Sequence, residues 1–256
     1  MRIQHNIMAM NANRNLTTNN TALAKNLEKL SSGYKINRAG DDAAGLAISE
    51  KMRADVAIYD QSIRNANDGI SLVQTAEGAM TEIHSMLNRM VTLATQGANG
   101  TYTSTDQAKI TLECTALNAE IQRIQNDTKF NGQDCFGKAF NFKVSENSKI
   151  SMAAVTKLNA ITVAYTTAGI TALKTNISSV SESRAKLGAI QNRLEHTVNN
   201  LGVTMENLQN AESTIRDTNI ADEMMKYTKN NILIQSAQAM LAQANQVPQG
   251  VLQLMQ

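Results

Sequence analysis

The sequence LKTNISSVSESRAKLGAIQNRLEHTVNNLGVTMENLQNAESTI, residues 173–215, decides the fold of this chain. Mostly apolar side chains recur in it at alternating steps of four and three residues, which is the heptad pattern of a helix that packs on other helices. The seam positions are Leu173, Ile177, Val180, Arg184, Leu187, Gln191, Leu194, Val198, Leu201, Met205, Leu208, Glu212 and Ile215. A helix of these 43 residues is roughly 65 Å long at about 1.5 Å per residue, so it needs partner helices of similar length.

The composition favours long helices over a compact globule. Apolar residues make up 42% of the 256 residues, but there is no Trp and there are only four Phe and five Tyr, so the core is built from aliphatic side chains. The single proline, Pro248, leaves almost nothing that obliges a helix to end.

The charge distribution argues against nucleic acid and membranes as partners. The net charge is +2 and the charged residues are dispersed along the chain. No run of 18 apolar residues is present, so no membrane span is expected. Residues 1–10 lack the apolar segment of a cleaved secretory peptide, and we therefore expect either a cytoplasmic protein or export by another route.

Two further apolar patterns supply partner helices for the seam. One helix is predicted over residues 64–96 and another over residues 106–125, because both ranges carry apolar residues at steps of three and four. Gly97 ends the first, and Thr105 or Asp106 caps the second. The lengths allow the two helices to lie antiparallel, and the seven-residue repeat predicts a left-handed supercoil.

Two shorter regions have other patterns. Asp41 and Asp42 are placed to cap a separate helix over residues 43–54, with their carboxylates at its positive end. Apolar residues alternate with polar ones from Phe140 to Tyr165, which indicates short strands and turns.

The two ends of the chain are weakly amphipathic helices. Residues 1–32 and 224–256 carry narrow apolar stripes that the bundle does not need, and Gly33 ends the first helix. We expect these stripes either to stay disordered alone or to assemble with copies of the same chain. The methionines of the C-terminal segment are interpreted as part of its packing stripe.

No constellation of catalytic or ligand-binding residues stands out. His5, His84 and His196 are far apart and form no H-E-x-x-H motif, and the sequence has no phosphate-binding glycine motif and no nucleophile elbow. Cys114 and Cys135 are interpreted as free thiols, with Cys114 on an apolar helical position. We expect no enzyme activity, no cofactor and no metal.

Several long motifs resemble those of bacterial flagellins. They cover nearly everything except about residues 136–180 and occur in the flagellin order at both ends. The motifs are LSSGYKINRAGDDAAGLAIS (30–49), NDGISLVQTAEGAM (67–80), TKFNGQ (128–133), RAKLGAIQNRL (184–194) and NILIQSAQAMLAQANQ (231–246).

The resemblance implies a subunit of the flagellar filament with a minimal central region. The expected fold is mainly α: long heptad helices in an antiparallel bundle with a small β region, plus a terminal helical coiled coil. The expected domains are residues 1–43 with 216–256 as an inner coiled coil, and residues 44–215 as a helical rod with a β-hairpin region at about 136–168.

The resemblance also implies partners, location and site residues. The expected partners are other copies of the chain, an export chaperone at the C-terminal helix, the filament cap and hook-filament junction proteins. The expected location is the extracellular filament, after export without a cleaved signal peptide. The expected polymerising residues are Ile3, Ile7, Leu23, Leu27, Leu30, Ile232, Leu233, Leu241 and Leu252. The expected connector between the inner coiled coil and the helical rod contains Gly33, Asn37, Asp41 and Asp42.

Stimulatory flagellins are bound by a Toll-like receptor, and the resemblance places a candidate contact at Arg89, Leu93 and Glu113. The stimulatory pattern has Arg and Glu where this chain has Val91 and Thr92. The missing charges predict weakened binding or activation.

Three other readings compete with a filament subunit. A hook-filament junction protein shares the coiled-coil ends but is present in only a few copies. A flagellin with a metallopeptidase insert is disfavoured because the sequence lacks H-E-x-x-H and its central region is small. A cytoplasmic helical signalling rod would leave the apolar ends unexplained.

Overall fold

The computed structural model describes residues 6–161 and 164–254, with side chains described as far as Gln246. Within these residues the chain is mainly α, as predicted. The helices are α1 (Ile7–Ser32), α2 (Ala43–Gly97), α3 (Ser104–Asp127), α4 (Thr167–Arg216) and α5 (Ile220–Leu254). The strands are β1 (Lys129–Phe130), β2 (Gln133–Asp134), β3 (Phe140–Lys143) and β4 (Lys149–Met152).

The chain divides into two compact units. Unit one contains the residues up to Ala54 and those from Asn207 onward, and unit two contains Asp55–Glu206. The divisions fall inside α2 and α4, about ten residues from the predicted domain bounds.

The core of unit two is built on the heptad seam of α4. Its most buried side chains lie seven residues apart and are Leu173, Val180, Leu187, Leu194 and Leu201. The first three share a cluster with Met80, Leu87 and other residues of α2 and with Ile121 of α3. This cluster confirms that intrachain helices are the partners of the seam.

The packing of α4 on α2 is antiparallel. Arg184 of α4 lies 3.5 Å from Glu77 of α2, while Leu194 shares a buried cluster with Ala66. Residue numbers therefore rise along α4 as they fall along α2.

The prediction of separate helices over residues 43–54 and 64–96 was wrong, because α2 is continuous from Ala43 to Gly97. The residues between the two predicted helices, DVAIYDQSI (55–63), contain neither Gly nor Pro and give the helix no reason to stop. The predicted cap is confirmed for Asp42, whose Oδ1 accepts a hydrogen bond of 2.9 Å from the backbone N–H of Gly45 in the first turn of α2.

The predicted cap of α3 was also wrong by a few residues. Thr103 is the N-cap, and Asp106 is the third helical residue, whose side chain returns to the cap to complete a capping box. A hydrogen bond from the Thr103 hydroxyl lowers the pKa of Asp106. The sequence signal was therefore present, but the cap lies before Thr105 rather than at it.

The β region consists of two antiparallel hairpins. In β1–β2, Asn131 and Gly132 both have positive φ, of 49° and 77°, as a two-residue primed turn requires. In β3–β4, Phe140 pairs with Met152 and Phe142 with Ile150.

The strands expected as far as Tyr165 end earlier, at Met152. The backbone that follows is held by amide side chains of α3 instead of a strand partner. Leu158 donates its N–H to Gln125 Oε1 at 2.9 Å, and its carbonyl accepts from Gln122 Nε2 at 2.9 Å. Ile161 donates to Asn118 Oδ1 at 3.0 Å, and Val163 lies outside the described residues.

Both cysteines are free and buried, which confirms their prediction as unpaired thiols. Burial raises the pKa of the Cys114 and Cys135 thiols above the ordinary value. Neither group is therefore a reactive thiolate at neutral pH.

Candidate assembly surface and connector

The terminal helices α1 and α5 pack on each other in unit one as an antiparallel pair. At one end Asn6 Nδ2 donates to the carbonyl of Ala244 at 2.7 Å, and at the other end Thr218 N–H donates to the carbonyl of Gly33 at 3.0 Å. Between these two hydrogen bonds the residue numbers increase by 27 along α1, from 6 to 33, and decrease by 26 along α5, from 244 to 218. The two helices keep one register along this length.

The faces that meet in this pair follow the heptad spacing. The buried and half-buried positions of α1 at steps of three and four are Ala9, Ala12, Leu16, Asn19, Leu23, Asn26 and Leu30. Those of α5 are Glu223, Tyr227, Asn230, Ile234, Ala237, Leu241 and Ala244. We call these positions the inner faces of α1 and α5.

A polar network lies inside this otherwise aliphatic interface. Asn26 and Glu223 are buried, at 8% and 3% exposure. With its amide oriented to satisfy its partners, Asn26 donates to Glu223 Oε1 at 2.9 Å and accepts from Asn230 Nδ2 at 3.0 Å. Lys226 Nζ lies 3.1 Å from the other carboxylate oxygen of Glu223, so this buried charge is paired.

Outside its inner face α5 also carries large apolar side chains that remain exposed, among polar ones such as Thr228, Lys229 and Gln235. We call these apolar residues the outer stripe; they are Met224, Met225, Ile232, Leu233 and Met240. Part of it forms a shallow groove, bordered by Thr228 and Lys229. On α1, Ile7, Met8, Met10 and Leu27 are likewise exposed.

The predicted polymerising residues fall into two groups. Ile7, Leu27, Ile232 and Leu233 are exposed on the outer sides of the helices. Leu23, Leu30 and Leu241 were predicted on the same surface, but they belong to the inner faces and are taken up by the intrachain pair. Ile3 lies outside the described residues, and of Leu252 only the helical backbone is described.

The outer methionines were missed as surface residues. The sequence interpretation assigned them to the packing stripe of the C-terminal segment, because packing is the usual role of a methionine at stripe spacing. The signal that separates the two faces of α5 is that the heptad positions starting at Glu223 continue to Ala244, whereas Met225, Ile232 and Met240 fall between them.

The predicted connector is an ordered turn in which each of its four expected residues has a local role. Gly33 ends α1 with φ of 76°, a left-handed conformation that suits glycine. Asp41 Oδ2 accepts from the N–H groups of Arg38 at 3.1 Å and Asn37 at 3.3 Å, and these bonds lower the pKa of Asp41. Asn37 also donates to the Tyr34 carbonyl at 3.2 Å.

Arg216, which the sequence reasoning did not select, binds the connector to the end of α4. Its guanidinium donates to Glu50 Oε1 at 2.6 Å and lies 4.7 Å from the centre of the Tyr34 ring. Its carbonyl accepts from Lys35 N–H at 2.6 Å, next to the bridge between Tyr34 and Asp217. The bond to Arg216 is the main cause of the lowered pKa of Glu50.

The candidate receptor contact lies in unit two. Arg89 of α2 and Glu113 of α3 form an exposed ion pair with 2.8 Å between nitrogen and oxygen. Leu93 was predicted beside them, but its side chain is only 2% exposed and packs with Ile110 and Cys114. Leu93 therefore supports this surface from below and offers a partner no contact area.

The described residues contain neither a candidate metal site nor a candidate membrane span. No group of three or more His, Cys, Asp or Glu side chains in residues 6–161 and 164–254 is placed to hold a metal ion. No helix in the same part of the chain is long and apolar enough to span a membrane.

Comparison with known proteins gives one consistent family. Residues 3–141 match the family model for the bacterial flagellin N-terminal helical region, and residues 170–255 match that for the C-terminal helical region. A flagellin of Halalkalibacterium halodurans is 51% identical, and one of Bacillus subtilis is 45% identical. A flagellar filament 33 kDa core protein of Treponema phagedenis is 41% identical. All three alignments cover 100% of both chains.

Proposed function

This chain belongs to the bacterial flagellin family and is a structural subunit of the flagellar filament, and we propose that it polymerises through the exposed outer sides of α1 and α5. The observation that carries the proposal is the outer stripe of α5, where five large apolar side chains lie exposed on a helix whose other face is already buried. Apolar surface of this kind marks an interaction site. Contacts of one surface with a different surface on the next copy generate an open helical assembly.

We propose a separate role in the filament for each of the two predicted domains. Residues 1–43 with 216–256 form the filament core, and residues 44–215 form the surrounding rod. The turn from Gly33 to Asp42 connects the two. Its hydrogen bonds and its contacts with Arg216 support this role, because a connector between two layers has to keep one conformation.

The proposed partners before and during assembly are an export chaperone, the filament cap and the hook-filament junction proteins. The chaperone would hold the C-terminal helix, whose outer stripe is the apolar surface most in need of cover before assembly. A hook-filament junction protein, the nearest competing interpretation, is not favoured, because the full-length relatives are flagellins and filament proteins.

Electron microscopy of the purified chain tests the polymerisation proposal. The full chain is expected to form filaments of uniform width. Deletion of residues 247–256 together with a similar length at the N-terminus should leave a soluble helical monomer. Glu146→Ser with Asn147→Ser is the control, since these exposed residues of the β3–β4 turn lie in unit two, and it should leave filament formation intact. If the truncated chain still forms filaments that sediment, the proposal is wrong.

We also propose that Arg89 and Glu113 form the contact for a Toll-like receptor, with Leu93 holding the surface from below. The exposed ion pair between α2 and α3 favours this site. The mutual pairing of these two charges, and the neutral Val91 and Thr92, weaken the attraction for a charged partner. A receptor titration should show loss of binding on Arg89→Ala and little change on Arg123→Ala, an exposed ion-paired arginine of α3. Equal binding of Arg89→Ala and the unmodified chain would argue against this site.

A further inference from the structure

A groove in unit two lies between the turn of the β3–β4 hairpin, α4 and the part of α2 that carries Tyr59. It has a volume of about 640 Å³, which is within the range of small-molecule sites. Its apolar floor consists of Val144, Ile150 and Leu201, which are already buried. The rest of its lining is polar, and among the lining residues, all of them described, there is no Asp or Glu.

The positive charge in this groove has no partner within the described part of the subunit. Arg193 of α4 and Lys149 of β4 both line the groove, and no described carboxylate forms an ion pair with either. The other arginines of unit two are each paired with a carboxylate; they are Arg64, Arg89, Arg123 and Arg184. Lys149 also lies directly opposite Lys143 across the β3–β4 ladder, where like charges repel. An anionic group in the groove would relieve this repulsion and pair with Arg193.

The groove offers hydrogen-bond acceptors next to these cations. Thr197 and Thr204 donate their hydroxyl hydrogens to the helix carbonyls of Arg193 at 2.8 Å and Asn200 at 2.9 Å. A hydroxyl oxygen whose hydrogen is engaged in this way still accepts from another donor. The ligand that fits both features carries an anionic group together with O–H groups of its own. Sugars with a carboxylate carry both, whereas an acidic peptide side chain supplies only the anion.

The dimensions of the groove suit a chain of sugar rings better than a single ion. The residues of α4 that line it run from Arg193 to Thr204, a rise of roughly 16 Å at about 1.5 Å per residue. On the α2 side the lining residue is Tyr59, which is half-buried and combines an apolar ring with a polar hydroxyl. A sugar ring has the same combination of an apolar face and a polar edge.

We propose that this groove binds a short saccharide that carries carboxylate groups. Arg193 and Lys149 pair with the carboxylates, the hydroxyl oxygens of Thr197 and Thr204 accept from the sugar hydroxyls, and Tyr59 contacts the face of a ring. All of these residues belong to unit two. The site is therefore independent of the polymerising surface proposed for α1 and α5.

The test is isothermal titration calorimetry of the unassembled full chain with two acidic probes, trigalacturonic acid and sialyllactose. Maltotriose and lactose are their neutral counterparts, and triglutamate represents an acidic peptide. We expect at least one acidic saccharide to bind about tenfold more tightly than its neutral counterpart and than triglutamate. Binding of neither acidic saccharide, or equally tight binding of triglutamate, overturns the proposal.

Three variants assign the binding to the groove. Arg193→Gln should weaken the affinity for the acidic saccharide about tenfold, as expected for the loss of a hydrogen bond to a charged group. Arg123→Gln is the matched control, because it removes the same charge from an ion-paired arginine of α3. Thr204→Val keeps the shape of the side chain and removes its acceptor, so the affinity should fall about two- to tenfold.

Two results would contradict the assignment. Equal losses for Arg193→Gln and Arg123→Gln would mean that net charge, and not the groove, determines binding. A loss for Arg193→Gln together with unchanged affinity for Thr204→Val would reduce the groove to an anion site without saccharide recognition. Thermal melts of each variant check that the fold is retained.

Discussion

Replacing Ile232 and Leu233 by serine measures what the outer stripe contributes to filament growth. Their side chains are 57% and 40% exposed in the subunit, which together is close to one whole aliphatic side chain. Burying such a side chain contributes about 1.5–3 kcal/mol. If neighbouring subunits cover both residues, the double substitution weakens each addition step by that amount, and the critical concentration rises roughly ten- to a hundredfold.

The assay is sedimentation of filaments grown from seeds at a series of subunit concentrations. Leu112→Ser is the matched control, because Leu112 is an exposed leucine in the middle of α3 and the substitution carries the same helix-propensity cost. We expect the control to shift the critical concentration little. An unchanged critical concentration for the double variant, or an equal rise for Leu112→Ser, would refute the assignment of the polymerising surface to α5.

Three further predictions concern the subunit itself. Gly33→Ala should destabilise unit one by about 1–2 kcal/mol through its left-handed backbone alone, since no atom lies near the added methyl group; Gly40→Ala, also with free space but without positive φ, should be nearly neutral in thermal unfolding. Leu187→Ala should cost about 2–5 kcal/mol in denaturant unfolding, because it opens a cavity in the core of unit two. The pKa of Glu50 is lowered in the folded chain, so the unfolded chain binds more protons near the ordinary value of 4.5. The free energy of unfolding should therefore fall as the pH drops through that region. Glu50→Gln should make this fall less steep in thermal melts followed by circular dichroism at a series of pH values.

The long-range architecture could be predicted from the sequence where one apolar pattern repeats many times. The seam of α4 repeats every seven residues, and a buried stripe at that period has no other stable arrangement than a helix against helices. Gly33 and the aspartates were readable for a different reason, because caps and left-handed turns depend on residues within a few positions of one another. The continuity of α2 was missed because helices were predicted separately over residues 43–54 and 64–96, although nothing in residues 55–63 ends a helix.

The parts that could not be predicted depend on partners far away in the sequence. Arg216 meets Glu50 across 166 positions, and Asn26 meets Glu223 across almost 200, so no local spacing announces either contact. Likewise, Gln125 gives no sign in its own helix that its side chain will hold the backbone of Leu158. Such polar contacts are selected by the assembled geometry, and a single sequence does not contain that information in a form that periodicity can extract.

The turn of the β3–β4 hairpin offers a place to display a foreign domain. Lys143 pairs with Lys149 at its base, while Glu146 and Asn147 are exposed at its tip. Paired strand residues lie about 5 Å apart, so a guest domain whose own ends are close together can replace the tip without shifting the strand register. The buried Val144 anchors the host side of the junction. Each subunit would then carry one guest, and the length of the polymer would set how many copies are presented.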